Sequence, residues 1–275
     1  MTINVGQIPY LNCEPFFYNL AIDEVDLRPM HPRDMGPMAK SGDLDAGPFS
    51  LIQARQLRAE FESLGDMGIS VKGPVKSILL YSRVPILDLS DSSIGVTQAS
   101  ATAAQLIKVI LEQRYRVRPR EYVGLESGKQ DAFLLIGDEA LTTHGTADGF
   151  PHRYDLAEEW QNWKDMPFVF ATWMVRRDME PLLKRMLANR IKENLAINLE
   201  SNLTAISTNR RYMGLSDDDI ADYLLAFRYN LDDDDWRGMR EFEKEYEVFA
   251  SSNLWFLNKS KANWYSSSIV NSLFS

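Results

Sequence analysis

The sequence predicts an α/β protein built as two lobes with a helical end. Strand-like and helix-like stretches alternate from Ile3 to Val175, the pattern of a largely parallel sheet covered by helices. At 275 residues the chain is too long for one small core and fits two lobes. Beyond Arg176 the apolar periodicity becomes helical and stays so to about Phe249.

The first strand, over 3–6, runs into Ile8-Pro9-Tyr10-Leu11-Asn12-Cys13-Glu14-Pro15-Phe16-Phe17. Pro9 and Pro15 bracket Asn12. Each proline fixes its own φ and pushes the residue before it out of helical geometry. Asn12 therefore falls in a stiff strand-to-helix turn, with a helix starting near Pro15. Such a turn presents backbone N–H groups and a partial positive charge to anions. An asparagine there can donate and accept hydrogen bonds without drawing a counter-ion. It can equally cap the helix or satisfy the turn.

A short strand over 25–28 follows, then a connection stiffened by Pro29, Pro32 and Pro37, and a helix over 35–41. Residues 42–48 read as helix exit, short strand and loop, and the next helix begins over 49–52. Ser50 is either its cap or a hydroxyl facing the same crevice as Asn12. Strands are expected over 69–75 and 77–82; the second, Ser77-Ile78-Leu79-Leu80-Tyr81-Ser82, is apolar enough for the middle of a sheet. The strand over 92–97 gives way to Gln98-Ala99-Ser100-Ala101-Thr102 and a helix over 103–113. Ser100 and Thr102 at that helix start form a carboxylate cradle, or act as caps alone.

The basic run over 114–120 reads as a solvated helix exit. The strand over 132–136 ends at Gly137-Asp138-Glu139, a carboxylate pair that suits acid–base work or caps the next turn. His144 lies in a Gly- and Thr-rich loop and reads as exposed. Residues 154–163 are helix-like, and 166–175 form the most apolar strand. Helices follow over 180–202, from a Ser216 cap to about 227, and from the aspartate run 232–235 to about 249. The tail from Leu257 carries Trp264 and Tyr265 as docking points.

A net charge of −9 speaks against general binding to nucleic acid or an anionic membrane. The single cysteine, Cys13, excludes an intramolecular disulfide, and His31, His144 and His152 lack zinc-site spacing. The aspartate run has no EF-hand pattern. No metal is therefore expected. With no secretory signal or membrane-length apolar run in the sequence, a cytoplasmic location is expected. Chain crossings near 82–85 and 175–177 would make 1–83 with 176–256 one lobe, 84–175 the other, and 257–275 a tail. Ligands of such folds sit outside the carboxyl ends of strands. That places Asn12, Ser50, Ser77, Ser100, Thr102 and Asp138 around one crevice.

One ordered set of segments carries a family resemblance. It comprises the Ile8–Pro15 stretch, Gly73-Pro74-Val75-Lys76-Ser77-Ile78-Leu79-Leu80, and Leu135-Ile136-Gly137-Asp138-Glu139-Ala140-Leu141. Tyr154-Asp155-Leu156 with Trp160, and Pro167-Phe168-Val169-Phe170-Ala171-Thr172-Trp173, complete it. From about residue 3 to 250 the chain resembles the chorismate dehydratases of the futalosine route to menaquinone. The resemblance implies the two-lobed fold of type II periplasmic binding proteins. It also implies conversion of chorismate to 3-[(1-carboxyvinyl)oxy]benzoate and water without metal or organic cofactor. Asn12 matches that family's active-site asparagine, and it is expected to orient the substrate and hydrogen-bond at the reacting centre. Ser77 is the second catalytic candidate, for substrate contact or proton transfer. Ser50, Ser100, Thr102 and Asp138 are substrate-binding candidates by position.

The sister enzyme of the route, which releases 1,4-dihydroxy-6-naphthoate, carries an Ile-His-Glu-like segment where this chain has Ile136-Gly137-Asp138-Glu139. The missing histidine favours the dehydratase. The same fold also suits a non-catalytic binding protein for a small carboxylate, and the effector-sensing module of a regulator. A regulator would need a DNA-binding segment, and none is visible.

Overall fold

The strands of the computed structural model sort into two sheets, and the sorting decides where a ligand can sit. The structure describes residues 2–97, 99–143, 147–210 and 213–270, with side chains as far as Ser252. The elements run β1 (Ile3–Gln7), α1 (Glu14–Phe17), β2 (Val25–Pro29), α2 (Pro32–Ser41), β3 (Ala46–Ser50), α3 (Leu51–Leu57) and β4 (Phe61–Val71). Then come β5 (Ile78–Ser82), β6 (Ser93–Val96), α4 (Ala101–Val109), β7 (Glu121–Gly124), β8 (Ala132–Ile136), α5 (Gly137–Thr142), β9 (His152–Asp155) and α6 (Leu156–Lys164). The chain closes with β10 (Phe168–Arg176), α7 (Pro181–Ser201), α8 (Leu203–Asn209), α9 (Asp217–Leu225), β11 (Arg228–Asn230) and α10 (Asp233–Val270).

The first sheet has the order β11-β4-β10-β3-β1-β2 and the second β7-β6-β8-β5-β9. Strand β1 runs parallel to β2 and β3, whereas β10 runs antiparallel to both β3 and β4. In the second sheet β6 is parallel to β7 and β8, and β5 is antiparallel to β8 and β9.

This sheet membership corrects the expected crossings. The strand from Ile78 belongs to the second sheet, and the strand from Phe168 returns to the first. The chain therefore crosses between lobes at 72–77 and at 156–167, not at 82–85 and 175–177. All five residues of β5 are buried, and so is most of β10. An apolar run shows that a strand is central without showing which sheet it joins.

Other differences have equally local causes. Strand β4 starts at Phe61, eight residues before the expected 69; Glu62, Gly65 and Asp66 interrupt its apolar pattern and hide that start. Its pairing with β10 carries register shifts on either side of Ala171. Strands β7 and β9 lie at sheet edges and lack an apolar run to announce them. The run after Arg114 is not simply solvated, since that guanidinium sits 2.6 Å from the Glu159 carboxylate. His144 lies outside the described residues, as do the side chains of Trp264 and Tyr265.

The C-terminal helices brace the first lobe. Helix α7 buries Leu187, Ile191 and Leu195 on one face. On the same face Asn198 Nδ2 donates to the carbonyls of Pro15 and Tyr18 at 3.0 and 2.8 Å, and Asn194 Nδ2 to those of Phe16 and Tyr18 at 3.0 and 3.1 Å. These carbonyls end the short helix α1, where no intrahelical donor remains for them. Helix α9 opens with a Ser216–Asp219 capping box, as its sequence predicts. Near the start of α10 the buried Asp235 accepts from Ser70 Oγ at 2.6 Å and Arg228 Nε at 3.1 Å.

Candidate active site

Between β1 and α1 the chain makes a single 3-10 turn at Leu11–Cys13, directly before Pro15 in the first turn of α1. Phe16 anchors this turn, packing edge-on to Trp173 and Tyr229 with ring centroids 5.4 and 5.3 Å away. The asparagines of α7 hold the carbonyls of the same segment, so the helix that follows Asn12 is fixed by both packing and hydrogen bonds. No side chain caps the 3-10 turn or α1. The Asn12 Oδ1 is buried with no hydrogen-bond partner. A buried acceptor left unmade costs about 1–3 kcal/mol.

Asn12 lines a cavity of about 570 Å³, partly open to solvent, between the two lobes. Tyr10, Ser50 and Phe170 share its first-lobe wall; Ser77, Ser100 and Gly137 come from the crossing and the second lobe. No lysine, arginine or carboxylate is among the described residues lining it. An anion there would be met by hydroxyls, the Asn12 amide and the first N–H groups of α4 rather than by an ion pair. Burial, and then the nearby Asp138 charge, raises the Tyr10 phenol pKa, keeping it a neutral donor. Burial likewise holds the Cys13 thiol protonated.

The serines are set differently. Ser50 stands at the start of α3 without capping it; its Oγ donates to Gln53 Oε1 at 3.2 Å. The Gln53 Nε2 in turn donates to the Pro32 carbonyl at 2.9 Å, holding the Pro32 corner of the cavity. Ser100 is a true N-cap, accepting from the Ala103 N–H at 3.3 Å. Ser77 is buried, and the Tyr223 hydroxyl donates to its Oγ at 2.9 Å. Gly137 has φ +61°, a region that L side chains rarely adopt, with the Tyr10 ring 3.4 Å from where a Cβ would stand. A histidine at this position would be strained.

Thr102 and Asp138 do not line the cavity; this departs from the expected crevice. Thr102 is wholly buried, and its Oγ1 accepts from the Ile52 N–H at 3.1 Å. Asp138 Oδ1 accepts from the Leu11 N–H at 2.9 Å, and Oδ2 lies 3.7 Å from the Arg210 guanidinium. Arg210 also pairs with Glu14 at 2.6 Å. Burial raises the Asp138 pKa, while the Leu11 N–H and Arg210 oppose it. Each residue therefore joins the second lobe to the first. Ser100 stands on extended backbone at the cap and lines the cavity, whereas Thr102, in the first turn of α4, turns its hydroxyl to Ile52. Among the described residues no group of three or more His, Cys, Asp or Glu is arranged to hold a metal ion.

Sequence reasoning did not single out Tyr223 or Arg210. Ile220, Tyr223 and Leu224 mark one buried face of α9 at helical spacing. That spacing announces burial, not a hydroxyl reaching Ser77. Arg210 follows a short helix with no motif around it.

Two α/β lobes, a cleft between them and a helical C-terminal brace define the fold class of the type II periplasmic binding proteins. Within that class the chain belongs to the menaquinone biosynthesis family, which it matches over residues 3–247. It is 27% identical over 261 residues to the chorismate dehydratase of Thermus thermophilus, covering 86% of this chain and 93% of that one. Among solved structures it is similar to a protein from Archaeoglobus fulgidus, with TM-score 0.71 and 17% identity over 90% of this chain and 97% of that one. It is similar too to the alkanesulfonate-binding protein of Xanthomonas axonopodis pv. citri, solved with MOPS bound. There the TM-score is 0.63 and the identity 14%, over 92% of this chain and 93% of that one. Among the described residues no helix is long and apolar enough to cross a membrane.

Proposed function

We propose that this protein converts chorismate to 3-[(1-carboxyvinyl)oxy]benzoate and water, as a cytoplasmic enzyme of menaquinone biosynthesis. The observation that carries the reading is the unpartnered Asn12 Oδ1 at a cavity lined by neutral donors. Likeness to a chorismate dehydratase supports it.

The reaction breaks the ring C–O bond to the hydroxyl and the C–H bond at the ring carbon bearing the enolpyruvyl ether. The C–H electron pair completes the aromatic ring, and hydroxide and proton leave as water. Aromatisation supplies driving force, so the protein's task is to position and to stabilise developing charge. Asn12 accepts a hydrogen bond from the substrate's hydroxyl and fixes its direction. Ser77, at the crossing between lobes, donates to the same oxygen as it departs. Ser100 and the start of α4 hold a carboxylate, and Ser50 keeps the opposite wall in place through Gln53. Thr102 and Asp138 hold the lobes closed, which keeps water out of a site where hydrogen bonds act more strongly.

Purified protein incubated with chorismate should form an enolpyruvyl-benzoate, followed by absorbance and mass, and should do so after exhaustive chelation. Tight binding of chorismate with no turnover would instead assign a solute-binding role. A loss of turnover on chelation, restored by one divalent ion, would overturn the metal-free mechanism.

The Thr102 bond gives a separate expectation. Thr102→Val keeps the side-chain shape but leaves the Ile52 N–H without an acceptor in the closed form. One such bond is worth about 1 kcal/mol, so product affinity should fall about fivefold, and small-angle scattering should show a more open unliganded protein. Unchanged affinity and radius would mean that the bond does not bias closure.

A further inference from the structure

Ser77 has a rotatable hydroxyl, and the proposed dehydration requires it to donate rather than accept at the departing oxygen. A group positioned to enforce that choice comes from α9. The Tyr223 hydroxyl donates to Ser77 Oγ across 2.9 Å, linking residues 146 positions apart in the chain. Both side chains are almost fully buried. Tyr223 sits in an apolar cluster, with Phe227 edge-on at 5.0 Å, so the phenol has little freedom to swing away. Burial pushes its pKa far above the ordinary tyrosine range; the Ser77 hydrogen bond opposes this, and the charges of Asp138 and Asp155 add to it. The phenol keeps its proton throughout the working pH range.

A serine oxygen that accepts from a fixed donor still has one proton of its own to place. Ser77 lines the cavity, while its backbone carbonyl is already taken by the Gly137 N–H at 2.8 Å. With the Tyr223 bond made, the remaining direction for the Ser77 proton is toward the ligand. A hydroxyl that accepts one hydrogen bond is also polarised into a better donor of the next.

We propose that Tyr223 is a positioning residue for the dehydration: its bond to Ser77 sets that serine as hydrogen-bond donor to the departing hydroxyl. The inference rests on the chorismate reading given above. Tyr223 does not touch the reacting atoms and acts through Ser77. Its own proton stays on the phenol, and no group is transferred through it.

The test is a double-mutant cycle on chorismate turnover with Tyr223→Phe and Ser77→Ala, each variant first checked for a native melting transition. Tyr223→Phe should lower kcat roughly tenfold, less than the hundredfold or more typical of a donor that meets the reacting atoms, with KM changed less than about twofold. In the Ser77→Ala background the same change should have no further effect on kcat. Tyr223→Met, a second variant unable to donate, should reproduce that pattern. A wild-type kcat in Tyr223→Phe overturns the inference. So does an equal drop in both backgrounds, because packing alone would act without Ser77. Either result leaves the dehydratase reading standing, whereas absence of turnover by the wild-type protein overturns both.

Discussion

Asn12→Ala is expected to lower kcat for chorismate dehydration by about a hundredfold or more while leaving the protein at least as stable as before. The two halves of this expectation come from one observation. The Asn12 Oδ1 is buried without a partner, so in the unliganded protein it costs stability. Removing it relieves that cost, and the melting temperature should hold or rise. The same atom is the acceptor that fixes the substrate hydroxyl, so the rate should collapse. A residue serving only as a helix cap would show the reverse: a stability loss of about 1 kcal/mol with turnover nearly intact. Asn12→Asp tests the electrostatics. It would put a carboxylate beside a doubly anionic substrate in a cavity whose described lining has no cationic side chain, and with Glu14 and Asp138 close by. Binding or rate should fall sharply; a normal rate in Asn12→Asp would remove Asn12 from the mechanism.

Asn12, Ser50, Ser77 and Ser100 could be gathered around one crevice from sequence because each lies where a strand ends, a lobe is entered or a helix begins. Local grammar marks such places: prolines around Asn12, a hydroxyl before the helical periods of α3 and α4. The grammar fails where direction or pairing decides. Thr102 and Asp138 each stand one residue from a cavity-lining neighbour, Ala103 and Gly137, and that one step sends their side chains across to Ile52 and Leu11 instead. Strands β5 and β10 are apolar over most of their length, so their sequences carry centrality but not sheet membership. Tyr223 is legible as a buried aromatic on α9, yet its bond to Ser77 exists only in three dimensions. Long-range pairing set by topology leaves no mark at the spacing of either residue.

The largest stability loss is expected for Asp155→Ala. This one carboxylate accepts from four backbone N–H groups: Val75 at 2.8 Å, Lys76 at 2.6 Å, Ala157 at 3.0 Å and Glu158 at 3.3 Å. The first pair belongs to the chain crossing that carries Ser77, and the second pair opens α6 on the returning crossing. Both connections between the lobes are thereby tied to a single side chain. Lys76 stands at φ +62°, a left-handed conformation that a lysine adopts only under constraint, and the Asp155 bond to its N–H is part of that constraint. Burial raises the Asp155 pKa against the pull of all four donors. Alanine would leave the donors unmet and α6 without its cap, for a loss of about 3–5 kcal/mol, measurable by urea unfolding.

Asp155→Asn separates the two tasks. Asparagine is a good N-cap, so the Oδ1 role toward Ala157 and Glu158 can persist. Its amide nitrogen would then face the Val75 and Lys76 N–H groups, which need an acceptor. The crossing at 72–77 should loosen while α6 keeps its start. Stability should therefore fall by only about 1–2 kcal/mol, yet kcat should drop well beyond that share, because Ser77 follows directly on the released segment. If Asp155→Asn and Asp155→Ala both cost less than about 1 kcal/mol and leave turnover unchanged, the crossings are held by their packing and not by this carboxylate.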